Sequence, residues 1–144
     1  MTQRLGGALR RFGRDACGAS AVEFAFIAPL LAGALLGVAE YGRMAYQRTD
    51  MHGALRNGGQ YVLNGGRELD VAREIVLRSW NSMPEDGVVE VSRYCLCAEV
   101  EHACSAPCSD DSVPAAYISL RAEATLGGLV MESGESAHDS IRVR

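Results

Sequence analysis

One segment of the chain stands out for its apolar pattern. From Phe24 to Ala39, FAFIAPLLAGALLGVA carries no charged side chain, and a single acid, Glu23, separates it from the small residues at Ala19–Val22. Sixteen residues at 1.5 Å each span about 24 Å, just short of a bilayer's hydrocarbon core; with residues 19–23 the stretch becomes long enough to cross. Pro29 frees the carbonyl of Ala25, which costs about 3 kcal/mol in a water-exposed helix but is tolerated where neighbouring helices compensate. The helical pattern does not stop at Ala39. Tyr41, Met44, Ala45, Met51 and Leu55 keep mostly helical spacing, with Arg43, Gln47, Asp50 and Arg56 between them. Gly58-Gly59 and Gly65-Gly66 are the first credible stops. The pattern predicts one long helix, its first half in lipid and its second half amphipathic in water.

Farther along, RELDVAREIVLRSW puts Leu69, Ala72, Ile75, Val76 and Trp80 on one side of a second, shorter helix. SMPEDG reads as a turn, VVEVSRYCLC alternates as a strand, and SAPCSDDSVP reads as a loop. AAYISLRAEATL alternates again, with Ile118, Leu120, Ala122 and Ala124 on one face and Tyr117, Ser119, Arg121, Glu123 and Thr125 on the other. The terminal DSIRVR is a candidate short third strand. The fold class expected is therefore α+β: a long N-terminal helix, a short helix and a small antiparallel sheet. The roughly 78 residues after Gly66 make a marginal core that would benefit from covalent staples.

Composition changes the picture through its asymmetry. Among 144 residues the net charge is −4, yet residues 1–18 carry four Arg against Asp15, a net of +3. From residue 19 onward ten Arg face seventeen acids, a net of −7. A small basic head, an apolar stretch and an acidic body read as a membrane signal, with membrane lipid as a partner and no nucleic acid. An ionised carboxylate in lipid costs roughly 2.5–3.5 kcal/mol even on lenient scales, so Glu23 at the edge of the apolar run is expected to have a function.

Four of the five Cys cluster as Cys95, Cys97, Cys104 and Cys108. An even cluster beyond a membrane signal suggests an oxidising compartment. Cys95 and Cys97 on one strand point to the same face, which disfavours a bond between them and favours one from each to Cys104 and Cys108. Two of the three connectivities survive. The rival is a zinc site of four Cys, or of three with His102, but the first pair is too close for the usual finger spacing. Catalytic constellations are not found. His52, His102 and His138 fall in separate segments and read as solvated, Asp110-Asp111 reads as loop solvation, and no hydrolase, phosphate-loop or dinucleotide motif occurs. Neither an enzymatic activity nor a cofactor or metal is expected.

An ordinary secretory signal cut after Ala39 would leave a secreted or membrane-anchored binding module, but its apolar region would be unusually long and would begin with a Glu. A lipoprotein signal fails because Cys17 precedes the apolar run. Gly18, Ala19 and Glu23 at the fifth place of a long apolar helix instead resemble the class III signal of type IV-like prepilins. The wider set of Gly18, Ala21-Val22-Glu23-Phe24-Ala25, Pro29, Glu40 and Gly42-Arg43 resembles the TadE-like family, the minor pseudopilins of the tight-adherence (Flp/Tad) pilus system.

That resemblance implies a cytoplasmic leader over residues 1–18, cut after Gly18 by a prepilin peptidase. It implies a transmembrane helix over 19–39, running through Phe24 and Pro29 to Ala39, and a periplasmic, pilin-like domain over 40–144. The implied setting is the bacterial inner membrane, single-pass, with the N-terminus inside. The implied partners are other pilins and pseudopilins, the assembly platform and the peptidase, and the implied work is pilus assembly or initiation and surface adherence.

Overall fold

The computed structural model describes residues 16–128 and 130–143. Residues 1–15, most of the expected leader, lie outside them. The long helix, α1, covers Ala16–Leu63 and continues through Pro29. Cys17 and Gly18, the end of the expected leader, are already helical. The run from Ala16 to Val22 is rich in helix-permissive alanines and holds no proline to stop it.

The chain divides into two units, residues 1–39 and 40–144. In the first, the described side chains are exposed almost throughout: Phe24, Phe26, Leu30 and Leu35 retain 67, 73, 75 and 71% of their surface. This helix is long and apolar enough to cross a membrane. Water alone would be a poor solvent for it, since burying each such side chain is worth about 1.5–3 kcal/mol.

The second unit is the remainder of α1, a second helix α2 (Leu69–Ser79) and four antiparallel strands: β1 (Val88–Cys97), β2 (Val100–His102), β3 (Ala115–Gly127) and β4 (Glu132–Val143). The strand order is β2-β1-β3-β4. One sheet face carries the core. Ile118, Leu120, Ala122 and Ala124 are all buried, as the alternation predicts, together with Val89 of β1 and Ala137 and Ile141 of β4. Met51, Ala54, Leu55 and Val62 of α1 complete the core with Ala72, Val76 and Trp80. The other face carries Glu90, Ser92, Ser119, Arg121 and Glu123, with Val88 and Leu96 toward the ends of β1 and a stacked pair, Tyr94 opposite Tyr117 with ring centroids 5.3 Å apart.

Three expectations need correction. Full burial on α1 begins at Met51; Tyr41 is 76% exposed, because it lies one position off the half-buried face made by Glu40, Met44 and Gln47. The helix runs through Gly58-Gly59, which serve close packing: a Cβ on Gly58 would lie 2.5 Å from Val76 Cγ2 and 2.8 Å from Leu120 Cδ2. It ends at Leu63, before Gly65, whose φ of +94° suits a residue without Cβ.

The terminal strand is not short. It spans twelve residues and pairs with β3 along its whole length, from Ala116 opposite Val143 to Gly127 opposite Glu132. Its Glu, Ser, Asp and Gly residues mask it, a composition that suits an edge strand shielded against pairing with other chains.

Candidate functional site

The residues singled out in the sequence fall into three places. Gly18 and Ala19 lie in the first turns of α1. Ala21, Val22, Glu23, Phe24 and Ala25 follow on the same helix, all exposed, so Glu23 is a carboxylate on an apolar rod. What they offer is a helical surface with one charge near its start, suited to lipid and to other helices.

The second place was not foreseen in detail. Glu40, the first polar residue after the apolar run, turns its carboxylate to the connection between β3 and β4. Its Oε1 accepts hydrogen bonds from the backbone N–H groups of Val130 (2.9 Å) and Met131 (3.0 Å). The same connection is closed by Gly128 N–H donating to the Met131 carbonyl at 2.9 Å. A Cβ on Gly128 would collide with the Glu40 carboxylate, so the close approach requires glycine. Arg43, one turn along, lines an open cleft of about 560 Å³ with Tyr46, Gln47, Ser82, Gly127 and Gly128. Gly42 meets open space, and nothing in the packing explains it. A separation of 90 residues between Glu40 and Val130 hid this contact from any pattern of spacing.

The third place is the cysteine lobe. Cys95 bonds Cys104 and Cys97 bonds Cys108, with Cα–Cα distances of 5.2 and 5.7 Å. Of the two connectivities left open by strand geometry, this is the one in which the bridges interleave. Their sulfurs are thereby used, which removes the ligands of the rival zinc reading. Among the described residues no group of three or more His, Cys, Asp or Glu is arranged to hold a metal.

His102 departs from its solvated expectation. It is half-buried, with Nε2 3.1 Å from the Pro107 carbonyl inside this lobe. Ala98 and Glu99, with φ of 48° and 71°, make the tight turn into β2. That turn was missed because its usual Asn-Gly signature is absent.

Electrostatics follow hydrogen bonding. Burial pushes the Asp50 carboxyl up, but hydrogen bonds from the Ser82 N–H (2.7 Å) and hydroxyl (2.8 Å) and from Asn81 outweigh it and hold it below the ordinary value. Asp86 is lowered by its hydrogen bonds with Thr125, and Asp110 by those from Ser112. Asp50 ties α1 to the turn after α2, and Asp86 ties the turn before β1 to β3. Both are structural fasteners around the cleft; Asp110 instead closes a local turn, in keeping with the loop role expected of it.

Residues 18–60 match the family model described as TadE-like protein. No curated protein and no solved structure matches the chain. The matched residues begin at Gly18 and take in Glu23, Pro29, Glu40 and Gly42-Arg43, ending inside α1 where it enters the core. The stretch from the start of the apolar helix to its anchorage in the folded unit is thus TadE-like, consistent with a TadE-like protein of the Tad pilus system.

Proposed function

We propose that the chain is a minor pseudopilin of a type IV-like tight-adherence pilus, anchored once in the bacterial inner membrane. It acts in assembly or initiation of the pilus and in surface adherence. The observation that carries this reading is the TadE-like match falling on an exposed apolar helix that leads into a small disulfide-bonded domain. Its work is association; no enzymatic step and no cofactor is assigned to it.

In this reading a prepilin peptidase cuts between Gly18 and Ala19 and leaves the helix in the membrane. The new amine on Ala19 then lies one helical turn from Glu23, on the same face. Within one chain that pair is exposed and worth little. Between chains, where the carboxylate of one subunit meets the amine of the next in a drier setting, the same charges are stronger and set the depth and register of packing. The partners are accordingly other pilins and pseudopilins and the platform that gathers them.

Two measurements test the proposal. Intact mass of the protein taken from its native membrane should give residue 19 as the N-terminus; a start at Glu40 would identify an ordinary secreted module instead. Glu23→Gln keeps size and hydrogen bonding but removes the charge. The variant is expected to insert and to be cut after Gly18, yet to lose co-purification with partner pseudopilins. Normal assembly by Glu23→Gln would reduce Glu23 to a group that merely reaches for the lipid headgroups.

A further inference from the structure

We propose that the β3–β4 hairpin tip is a second membrane contact, with Val130 and Met131 seated in the interfacial layer of the same bilayer that α1 crosses. Three observations carry it. Two apolar side chains of the tip are outward: Val130 is 88% and Met131 62% exposed. Both have no place in the core, although the fold holds them in a defined turn.

Three backbone donors of this connection are satisfied internally. Gly128 N–H bonds the Met131 carbonyl, and the N–H groups of Val130 and Met131 bond Glu40. Polar backbone that enters lipid must find partners within the protein, so the occupied N–H groups of Gly128, Val130 and Met131 lower the cost of dehydrating this tip.

The third observation is position along the chain. Glu40, which holds the tip, is covalently joined to Ala39, the last residue of the uncharged run. The tip is therefore fixed to the residue at which the apolar segment ends. Arg43, lining the cleft beside Gly127 and Gly128, is placed to meet headgroup phosphates, as cationic side chains do at this depth. The occupant is lipid and not another protein because the tip is tethered to the membrane-crossing chain itself. In this arrangement Glu40 has a specific task. Its carboxylate links the first residue after the apolar run to the β3–β4 connection.

The inference rests on the membrane reading of α1, and the test separates the two. Single cysteines at Leu35, Val130, Met131 and Val113 are made in the Cys17→Ser chain, which leaves the disulfide cysteines oxidised. Each is labelled with an environment-sensitive fluorophore, and the full chain is reconstituted in phosphatidylcholine–phosphatidylglycerol vesicles with and without brominated acyl chains. Val113, 90% exposed and remote in sequence from the tip, is the water reference.

The expected result is blue-shifted emission, largely lost on brominated lipid, at Leu35, Val130 and Met131, with neither effect at Val113. Glu40→Ala should bring the Val130 signal toward that of Val113 while leaving Leu35 unchanged. Quenching at Leu35 with water-like emission at Val130 and Met131 would overturn the tip contact and leave the membrane helix standing. Blue-shifted emission at Val130 without lipid quenching would mean that protein covers the tip, and would overturn it too. No quenching at Leu35 would remove the membrane reading and the inference with it.

Discussion

Gly53 and Gly58 lie on the same helix five residues apart, and they demand opposite things of a substitution. At Gly58 an added Cβ would meet Val76, Leu120 and the Ala72 carbonyl, whereas at Gly53 nothing lies within 4 Å. Alanine gains about 1 kcal/mol over glycine in a helix, while overpacking a core costs about 1–3 kcal/mol. Gly58→Ala should therefore destabilise the chain by up to about 2 kcal/mol, and Gly53→Ala should stabilise it by up to about 1 kcal/mol. Denaturation in detergent followed by the emission of Trp80, the single tryptophan, reads both; equal effects would show that Gly58 is not a packing residue.

Asp50 supplies a second prediction at this scale. Its folded carboxyl titrates below its unfolded value of 3.8, so its stabilising contribution is present above that pH and fades as pH falls through the folded value. Asp50→Asn should lower the midpoint of thermal unfolding at pH 7, and the difference should shrink as pH falls below 3.8. The individual roles of Asp50 and Glu40 were not readable in the sequence, because their partners lie 32 and 90 or more positions away. What was readable was which residues are chemically out of place: a glutamate at the edge of an apolar run, and four clustered cysteines.

At the scale of elements, legibility followed how strongly each segment's own pattern matched its structure. α2 and β3 have clean periodicity, and every residue assigned to the inner face of β3 is buried. β4 and β2 owe their strand character to pairing. β4 offers few apolar residues, and β2 is three residues long and held by a two-residue turn at Ala98-Glu99. Left-handed backbone costs a non-glycine residue about 1–2 kcal/mol, so this turn is unfavourable in isolation and is held closed by the flanking bridges.

Two outcomes follow. Glu99→Gly should stabilise the domain by about 1 kcal/mol through the turn alone. Cys97→Ser with Cys108→Ser opens a loop of sequence separation 11 and should cost roughly 2–3 kcal/mol on the chain-entropy model. Because the bridges interleave, the second closure constrains less than a separate loop would, and the loss should lie toward the lower figure. Urea midpoints of the two variants against the parent decide it; an unchanged midpoint after removing the bridge would leave the turn self-sufficient.

For the molecule as a whole, the sequence displayed its two-part plan openly: an apolar helix, then an acidic, cysteine-stapled α+β unit. The proposed orientation across the membrane rests on two independent arguments of unequal weight. The charge bias is modest: Arg4, Arg10, Arg11 and Arg14 precede the apolar segment, while Arg43 and Arg48 fall within fifteen positions after it. Cationic residues are retained on the cytoplasmic side, and acids count for little in that balance, so a ratio of four to two favours an inside N-terminus without dictating it.

The bridges weigh more. Two disulfides persist in the periplasm and are reduced in the cytoplasm, and a core this small depends on them. The two arguments make one joint prediction. An enzyme reporter that works only in the periplasm, fused after Arg144, should be active, and the four cysteines should resist alkylation in intact cells. Replacing Arg10, Arg11 and Arg14 by Gln should then lower the reporter signal and expose alkylatable thiols in the same fraction of molecules, since an inverted chain would place its folded unit in a reducing compartment. A stably made but inactive fusion with unreactive cysteines would break the link between orientation and oxidation, and with it the proposed membrane topology.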